Sequence, residues 1–227
     1  TLVSPLAVNE VRGYIKNVHG ESYLPDKPNV YKAKAAKAQE AHEAVRPSST
    51  LRTPEIIKGY LKPEQFKLYQ LIWRRFVASQ MAPALYETLS IEVQGNGEQH
   101  EYLFRASGSK LQFPGFLTVY EEAKDEDAKT ENETLDIPEG LIDGDLLKLL
   151  RLLPEQHFTQ PPPRYSEASL VQTLEEYGIG RPSTYAPIIS TIQTRGYVER
   201  DNKRLVPTET GFVVNDLLVE FFPDVLG

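Results

Sequence analysis

Apolar positions along the chain fall into three regimes. Near the start, Val8, Val11, Ile15 and Val18 recur three and four apart, which predicts one face of a helix. Ser4 stands ahead of that run as a cap, Pro5 suits its first turn, and Gly20 can close it. Pro25 and Pro28 mark a loop. A second helix is predicted over residues 32–46, stopping before Pro47, because a proline disfavours helical geometry in the residue ahead of it. A third begins near Pro63 and carries the stripe Phe66, Tyr69, Trp73, Phe76 and Val77 to about Gln80. Trp73 lies on that stripe and reads as core.

The period then shortens. Leu89, Ile91 and Val93 alternate with Ser90, Glu92 and Gln94, the pattern of a half-buried strand. Gly95-Asn96-Gly97 signals a hairpin into residues 102–105. Ser107-Gly108-Ser109 reads as a further turn, leading to short strands at 111–113 and 116–120. Residues 121–136 are mostly charged or small and predict a mobile acidic loop. The leucine-rich stretch 146–153 fits helix or strand by periodicity; its shortness and the preceding Asp143-Gly144 favour a strand. Pro161-Pro162-Pro163 makes a stiff connector.

Helical spacing returns after it. Ser166 caps a predicted helix through Leu170, Val171, Leu174 and Tyr177, closed by Gly178. Another starts near Ser183, carries Ile188, Ile189 and Ile192, and ends at Gly196; Pro187 is expected in its first turn. Residues 197–206 suggest a hairpin around Asp201-Asn202-Lys203, and Thr208 caps a last helix through Phe212, Val213, Leu217 and Phe221. Helix, turn, helix, hairpin is the order of a winged helix-turn-helix. The fold class expected is therefore α+β. Three blocks are expected: a helical block at 1–83, a β-rich block at 84–163, and a winged-helix-like helical block at 164–227.

Composition narrows the chemistry. The 227 residues contain no cysteine, which excludes disulfides, thiolate zinc sites, iron–sulfur ligation and a cysteine nucleophile, and fits a reducing, cytoplasmic setting. No apolar run reaches the ~20 residues that span a bilayer. The net charge of −7 is unevenly spread. Residues 1–83 hold 13 Lys and Arg against 7 Asp and Glu, net +6; residues 84–163 hold 6 against 16, net −10; residues 164–227 hold 6 against 9, net −3. A basic first third inside an acidic chain is compatible with a local anion-binding face, and equally with a solvated helical surface.

Two constellations can carry chemistry. In Gly178-Ile179-Gly180-Arg181-Pro182-Ser183-Thr184-Tyr185, Arg181 supplies a planar donor fork, and Ser183 and Thr184 place hydroxyls at a helix start whose amides and dipole favour an anion. This reads as a grip on a phosphate backbone, or as a helix cap with a surface arginine pair. Gln193 and Arg195, at the end of the same helix, can also reach a strand. In Gln39-Glu40-Ala41-His42-Glu43-Ala44-Val45-Arg46-Pro47, a helix would put Gln39, His42 and Arg46 on one face. There His42 can donate to a phosphate or move a proton while Arg46 holds its charge; the plain alternative is a solvated helix with His42 paired to a carboxylate. No second histidine follows His42-Glu43 at zinc-protease spacing, and no P-loop is present. The Arg74-Arg75 pair can face solvent or DNA. Tyr14, Tyr23 and Tyr31 can stack on bases but read first as packing. His19, His100 and His157 are scattered and define no site.

These motifs resemble signatures of bacterial type IA DNA topoisomerases. The resemblance rests on residues 39–47, on Phe158-Thr159-Gln160-Pro161-Pro162-Pro163-Arg164-Tyr165-Ser166-Glu167-Ala168-Ser169-Leu170, on residues 178–186 with 188–193 and 195–198, and on Pro207-Thr208 with Gly211. It runs in order along essentially the whole chain. It implies an enzyme that relaxes negatively supercoiled DNA without ATP. A tyrosine attacks one strand to give a transient 5′-phosphotyrosyl link, the other strand passes, and the break is resealed. The resemblance places that tyrosine just ahead of Thr1, and the magnesium-binding Toprim domain outside the chain, so no cofactor is expected within these residues and this chain alone is expected to be inactive. His42 and Arg46 become auxiliary catalytic residues. Arg181, Ser183 and Thr184, with Gln193 and Arg195, become contacts to DNA, chiefly its single-stranded backbone. The remaining domains of the same enzyme are the other expected partners, in a monomer with no membrane association. The alternative is a stand-alone single-stranded-DNA-binding or interaction module.

Overall fold

A computed structural model describes residues 2–31, 43–97, 99–121 and 140–226. The chain divides into two compact units, and the described residues change unit between Arg151 and Leu152. The predicted Gln39 and His42 positions, most of the acidic 121–136 stretch and the first part of the 32–46 helix lie outside the described residues.

The first unit is built on two helices, α1 (Pro5–His19) and α3 (Pro63–Ser79), with a short α2 (Pro54–Ile57) between them in sequence. Ala7, Val11 and Ile15 lie four apart and so share one face of α1. They pack with Trp73, Phe76, Val77 and Met81, and all seven are buried. Proline opens all three helices, at a position where its missing N–H is not needed. Trp73 is 6% exposed, donates its indole N–H to the Thr50 carbonyl at 2.9 Å, and meets the Tyr14 ring edge-on at 5.5 Å.

Beyond α3 a long antiparallel hairpin pairs β1 (Leu85–Asn96) with β2 (Glu101–Phe113). The turn lies where Gly95-Asn96-Gly97 predicts it, and Gly97 donates its amide to the His100 carbonyl at 3.0 Å. The second turn expected at Ser107-Gly108-Ser109 does not form. These residues face Ser90, Leu89 and Thr88 in an unbroken ladder, because cross-strand pairing satisfies their backbone better than a local turn would. The strand expected at 116–120 is also absent. A 3-10 turn spans Gly115–Thr118, and Phe116 donates its amide to the Ala82 carbonyl at 2.9 Å. Residues 146–153 form neither strand nor helix; their leucines are exposed, Leu146 completely so, and no neighbouring strand supplies a ladder among the described residues. The 32–46 helix fails at its described end as well. Glu43 forms a parallel bridge with Leu2, and Ala44 donates its amide to the Leu2 carbonyl at 2.9 Å. β-branched Val45 and the proline after Arg46 both favour that extended course.

The second unit runs α4 (Glu167–Glu176), α5 (Pro182–Thr194), the hairpin β3 (Val198–Asp201) with β4 (Arg204–Pro207), α6 (Glu209–Phe221) and α7 (Pro223–Leu226). The order helix, turn, helix, hairpin, helix matches the sequence expectation, and the chain as a whole is α+β. The hairpin turns at Asn202 and Lys203, both with positive φ as a type I′ turn requires. Ser166 and Thr208 cap their helices as expected, accepting from the amides of Ser169 and Gly211 at 3.1 Å each. Pro187 lies in the second turn of α5 rather than the first, so the Ser183 carbonyl has no amide four residues on to accept from.

Thr208 also donates its hydroxyl to the Gly196 carbonyl at 2.6 Å, which draws the start of α6 onto the end of α5. The approach is so close that a Cβ at Gly211 would lie 2.1 Å from the Tyr197 carbonyl oxygen. Gly211→Ala is therefore expected to destabilise the second unit by about 1–3 kcal/mol, as overpacking does. The single tryptophan belongs to the first unit, so urea unfolding followed by circular dichroism should shift while the Trp73 fluorescence transition stays in place.

Candidate nucleic-acid interface

The turn between α4 and α5 is built from backbone geometry that glycine permits. Gly178 has φ +71°; its amide reaches the Glu175 carbonyl at 3.0 Å and the Ile179 amide reaches Leu174 at 2.8 Å, closing α4 with paired C-terminal bonds. Gly180 has φ +76°, and a Cβ there would crowd the Thr184 hydroxyl and the Tyr185 ring at 3.1 Å. Arg181 then caps α5. Its amide donates to Thr184 Oγ1 at 2.8 Å, and that hydroxyl donates to the Arg181 carbonyl at 3.0 Å. The amides of Thr184 and Tyr185 also reach the Arg181 carbonyl.

This arrangement leaves a defined set of donors at the start of α5. Pro182 has no N–H, and Thr184 and Tyr185 spend theirs on Arg181. Ser183 retains both its amide and its hydroxyl, with no partner among the described residues. The Arg181 guanidinium is exposed and fixed at one corner, where Nη1 donates to the Gly180 carbonyl at 2.6 Å. An amide, a hydroxyl and a guanidinium at the positive end of a helix form an anion cradle. Thr184 shapes the cradle instead of lining it with a free hydroxyl.

Gln193 and Arg195 are not part of it. They lie at the other end of α5, about 20 Å away at 1.5 Å of rise per residue. The Gln193 side-chain amide donates to Glu167 at 3.2 Å and to the Ile189 carbonyl at 3.3 Å, bridging a cleft of about 650 Å³ between α4 and α5. Arg195 is the exposed C-cap of α5. Arg200 stands 3.7 Å from the same Glu167 carboxylate, a link that sequence spacing does not signal.

In the first unit the extended stretch at Glu43 replaces the expected helical face. Arg46 is half-buried and gives Glu43 a two-pronged ion pair, Nε to Oε1 at 2.7 Å and Nη2 to Oε2 at 3.2 Å, with Nη1 on the Pro47 carbonyl. Glu43 also accepts the Ser4 amide at 2.7 Å. One carboxylate thus binds the segment ahead of α1 to residues 43–47. Its three donors, Arg46 first and Ser4 second, hold its pKa below the ordinary value near 4.5, and Arg46 is correspondingly raised. Because the folded value is the lower one, the stabilising contribution is present above about pH 4.5 and is lost as pH falls through the depressed value. A carboxyl titration by nuclear magnetic resonance should show Glu43 titrating below the ordinary glutamate value, and moving back toward that value in Arg46→Gln. The role of Glu43 was missed from sequence, although its position three residues before Arg46 is a pairing signal in itself.

Among the described residues no three acidic or histidine side chains gather as a metal site. No helix among them is long and apolar enough to cross a membrane.

The donors gathered at the start of α5 have the chemistry to hold an anion such as a phosphate. The sequence model of a DNA topoisomerase family matches residues 1–226, and the chain belongs to that family, in its type IA class. The chain is also similar to full-length topoisomerase I from Thermotoga maritima, solved in a monoclinic crystal form: 37% identity, a TM-score of 0.76, and coverage of all of this chain but 34% of that one. It therefore spans about a third of that relative's length.

Proposed function

We propose that this chain is the strand-gripping and gate portion of a type IA DNA topoisomerase that relaxes negatively supercoiled DNA. The observation that carries this reading is the cradle of Arg181 and Ser183, supported by the family match over residues 1–226. A phosphate of single-stranded DNA accepts from the Ser183 amide and hydroxyl and from Arg181, which positions the strand without reading its sequence. Arg195 continues the track at the far end of α5. The transient 5′-phosphotyrosyl bond and the metal-dependent step belong to parts of the enzyme outside these residues, so this chain alone is inactive in relaxation. His42, outside the described residues, and Arg46 act as auxiliary catalytic groups in the assembled enzyme. Arg46 reaches a phosphate only by sharing or leaving Glu43, so its contribution depends on that pair. The protein acts as a monomer on DNA in the cytoplasm, with the remaining domains of the same enzyme as partners.

The test is anisotropy of a labelled single-stranded oligonucleotide titrated with the chain at two salt concentrations, beside a relaxation assay. Salt-sensitive, sequence-tolerant binding without relaxation is expected. Relaxation is expected to appear when the missing segments are supplied. Salt-independent binding, or an inactive, folded, complete enzyme, would overturn the proposal.

A further inference from the structure

The first unit contains a second cleft, of about 670 Å³, at the C-terminal end of α3. That size falls within the ~300–1,000 Å³ of small-molecule sites. Ala78 and Met81, both buried, contribute to its base. Tyr31 lies at one side and Arg75 with Tyr120 at another. Arg75 is the only charged residue lining it among the described residues.

The cleft is held in shape by a dense local network. The Asn29 side chain donates to the carbonyls of Ser79 at 3.0 Å and Met81 at 3.1 Å. Its backbone exchanges bonds with the Gln80 side chain, the amide donating at 3.2 Å and the carbonyl accepting at 3.1 Å. Tyr31 donates its hydroxyl to the Ser79 carbonyl at 2.7 Å, so its ring is fixed although the residue is 64% exposed. The Arg75 guanidinium lies 5.9 Å from the centre of the Tyr120 ring.

A fixed, exposed aromatic ring, a second ring carrying a cation and, among the described residues, no carboxylate in the lining are the chemistry that seats a base and its phosphate. We infer that this cleft is a second single-stranded DNA subsite, in which a base stacks on Tyr31 and its phosphate rests on Arg75 beside Tyr120. The inference rests on the DNA-binding reading above and deepens it by naming a contact outside the helical second unit.

The experiment uses the whole chain and an oligothymidylate carrying 5-iododeoxyuridine. Photocrosslinking followed by peptide mapping is expected to mark peptides containing Tyr31 or Tyr120, as well as the Arg181 region. In anisotropy titrations Tyr31→Ala is expected to weaken binding about tenfold, the order of one lost stacking contact. Tyr31→Phe, which keeps the ring, should bind as the unaltered chain does. Arg75→Gln should lower the salt slope by about 0.7, one phosphate contact on a single strand. Trp73 fluorescence verifies that each variant is folded.

Crosslinks confined to the Arg181 region, with Tyr31→Ala and Arg75→Gln binding normally, would overturn the subsite and leave the Arg181 cradle standing. Loss of binding in Tyr31→Ala but not in Arg181→Ala would support the subsite and sink the cradle. Failure of the unaltered chain to bind at any salt would overturn both. Equal loss in Tyr31→Ala and Tyr31→Phe would assign Tyr31 to the Ser79 hydrogen bond instead of stacking, and would likewise overturn the subsite.

Discussion

Replacing Arg181 by alanine is expected to weaken single-stranded DNA binding about equally for every sequence and to reduce the salt slope by about 0.7. The uniformity follows from the site's chemistry. The free donors at the start of α5 are an amide, a hydroxyl and a guanidinium, none of which discriminates bases when it meets a phosphate. The slope follows from counterion release, since one fewer neutralised phosphate releases one fewer condensed ion. Folding should be unaffected. The arginine side chain is exposed, and its one local bond, to the Gly180 carbonyl, is not what caps α5. The cap is the exchange between the Arg181 backbone and Thr184 Oγ1, which alanine at 181 preserves. Thr184→Val separates the two roles: it removes the cap and should cost about 1 kcal/mol of second-unit stability while leaving the guanidinium in place. Titrations of the three proteins at several salt concentrations read both effects. An unchanged slope in Arg181→Ala would remove Arg181 from the strand-contacting set.

The parts of this structure that were legible in the sequence are those decided locally. The spacing of Val11 and Ile15, the Trp73–Phe76–Val77 stripe, and the capping residues Ser166 and Thr208 each state their geometry within a few positions, although the buried face of α1 takes Ala7 where the apolar spacing points to Val8 and to the exposed Val18. The donor set of Arg181 and Ser183 was legible for the same reason, since glycine, arginine and hydroxyls sit consecutively, while the use of Thr184 Oγ1 in the cap was not. What misled was non-local. Ser107-Gly108-Ser109 carries turn chemistry but lies in a ladder fixed by residues 88–90. Residues 43–46 carry helical spacing but pair with Leu2, about forty positions away. The same long reach hid Glu43 as the tie to Ser4, turned Gln193 toward Glu167, and brought Tyr31 and Tyr120 to one cleft. In each case a partner distant in sequence outbid a local preference.

Trp73→Ala is expected to give the largest loss of stability in the chain, about 3–5 kcal/mol for the first unit. The residue sits where α1, α3 and the Thr50 loop meet, and its removal would leave a cavity lined by side chains that are already packed from both helices. Two contributions can be separated. Trp73→Phe keeps an aromatic ring against Tyr14 but deletes the indole donor, leaving the Thr50 carbonyl without its 2.9 Å partner; that loss alone should cost about 1 kcal/mol. The difference between the two variants then measures lost volume. Circular dichroism in urea is the readout, because both variants remove the only tryptophan. The prediction reaches function through position: Ser49 and the Thr50 amide both bond to the Glu10 carboxylate of α1, so the loop that receives the indole is tied to α1 as well. That loop directly follows residues 43–47, which Glu43 joins to the segment ahead of α1. Loosening Trp73 should therefore also weaken the Glu43–Arg46 pair, and in Trp73→Ala the Glu43 titration should move back toward the range of ordinary exposed glutamates. A Glu43 titration unchanged in a destabilised Trp73→Ala protein would show that the pair is held by local geometry alone.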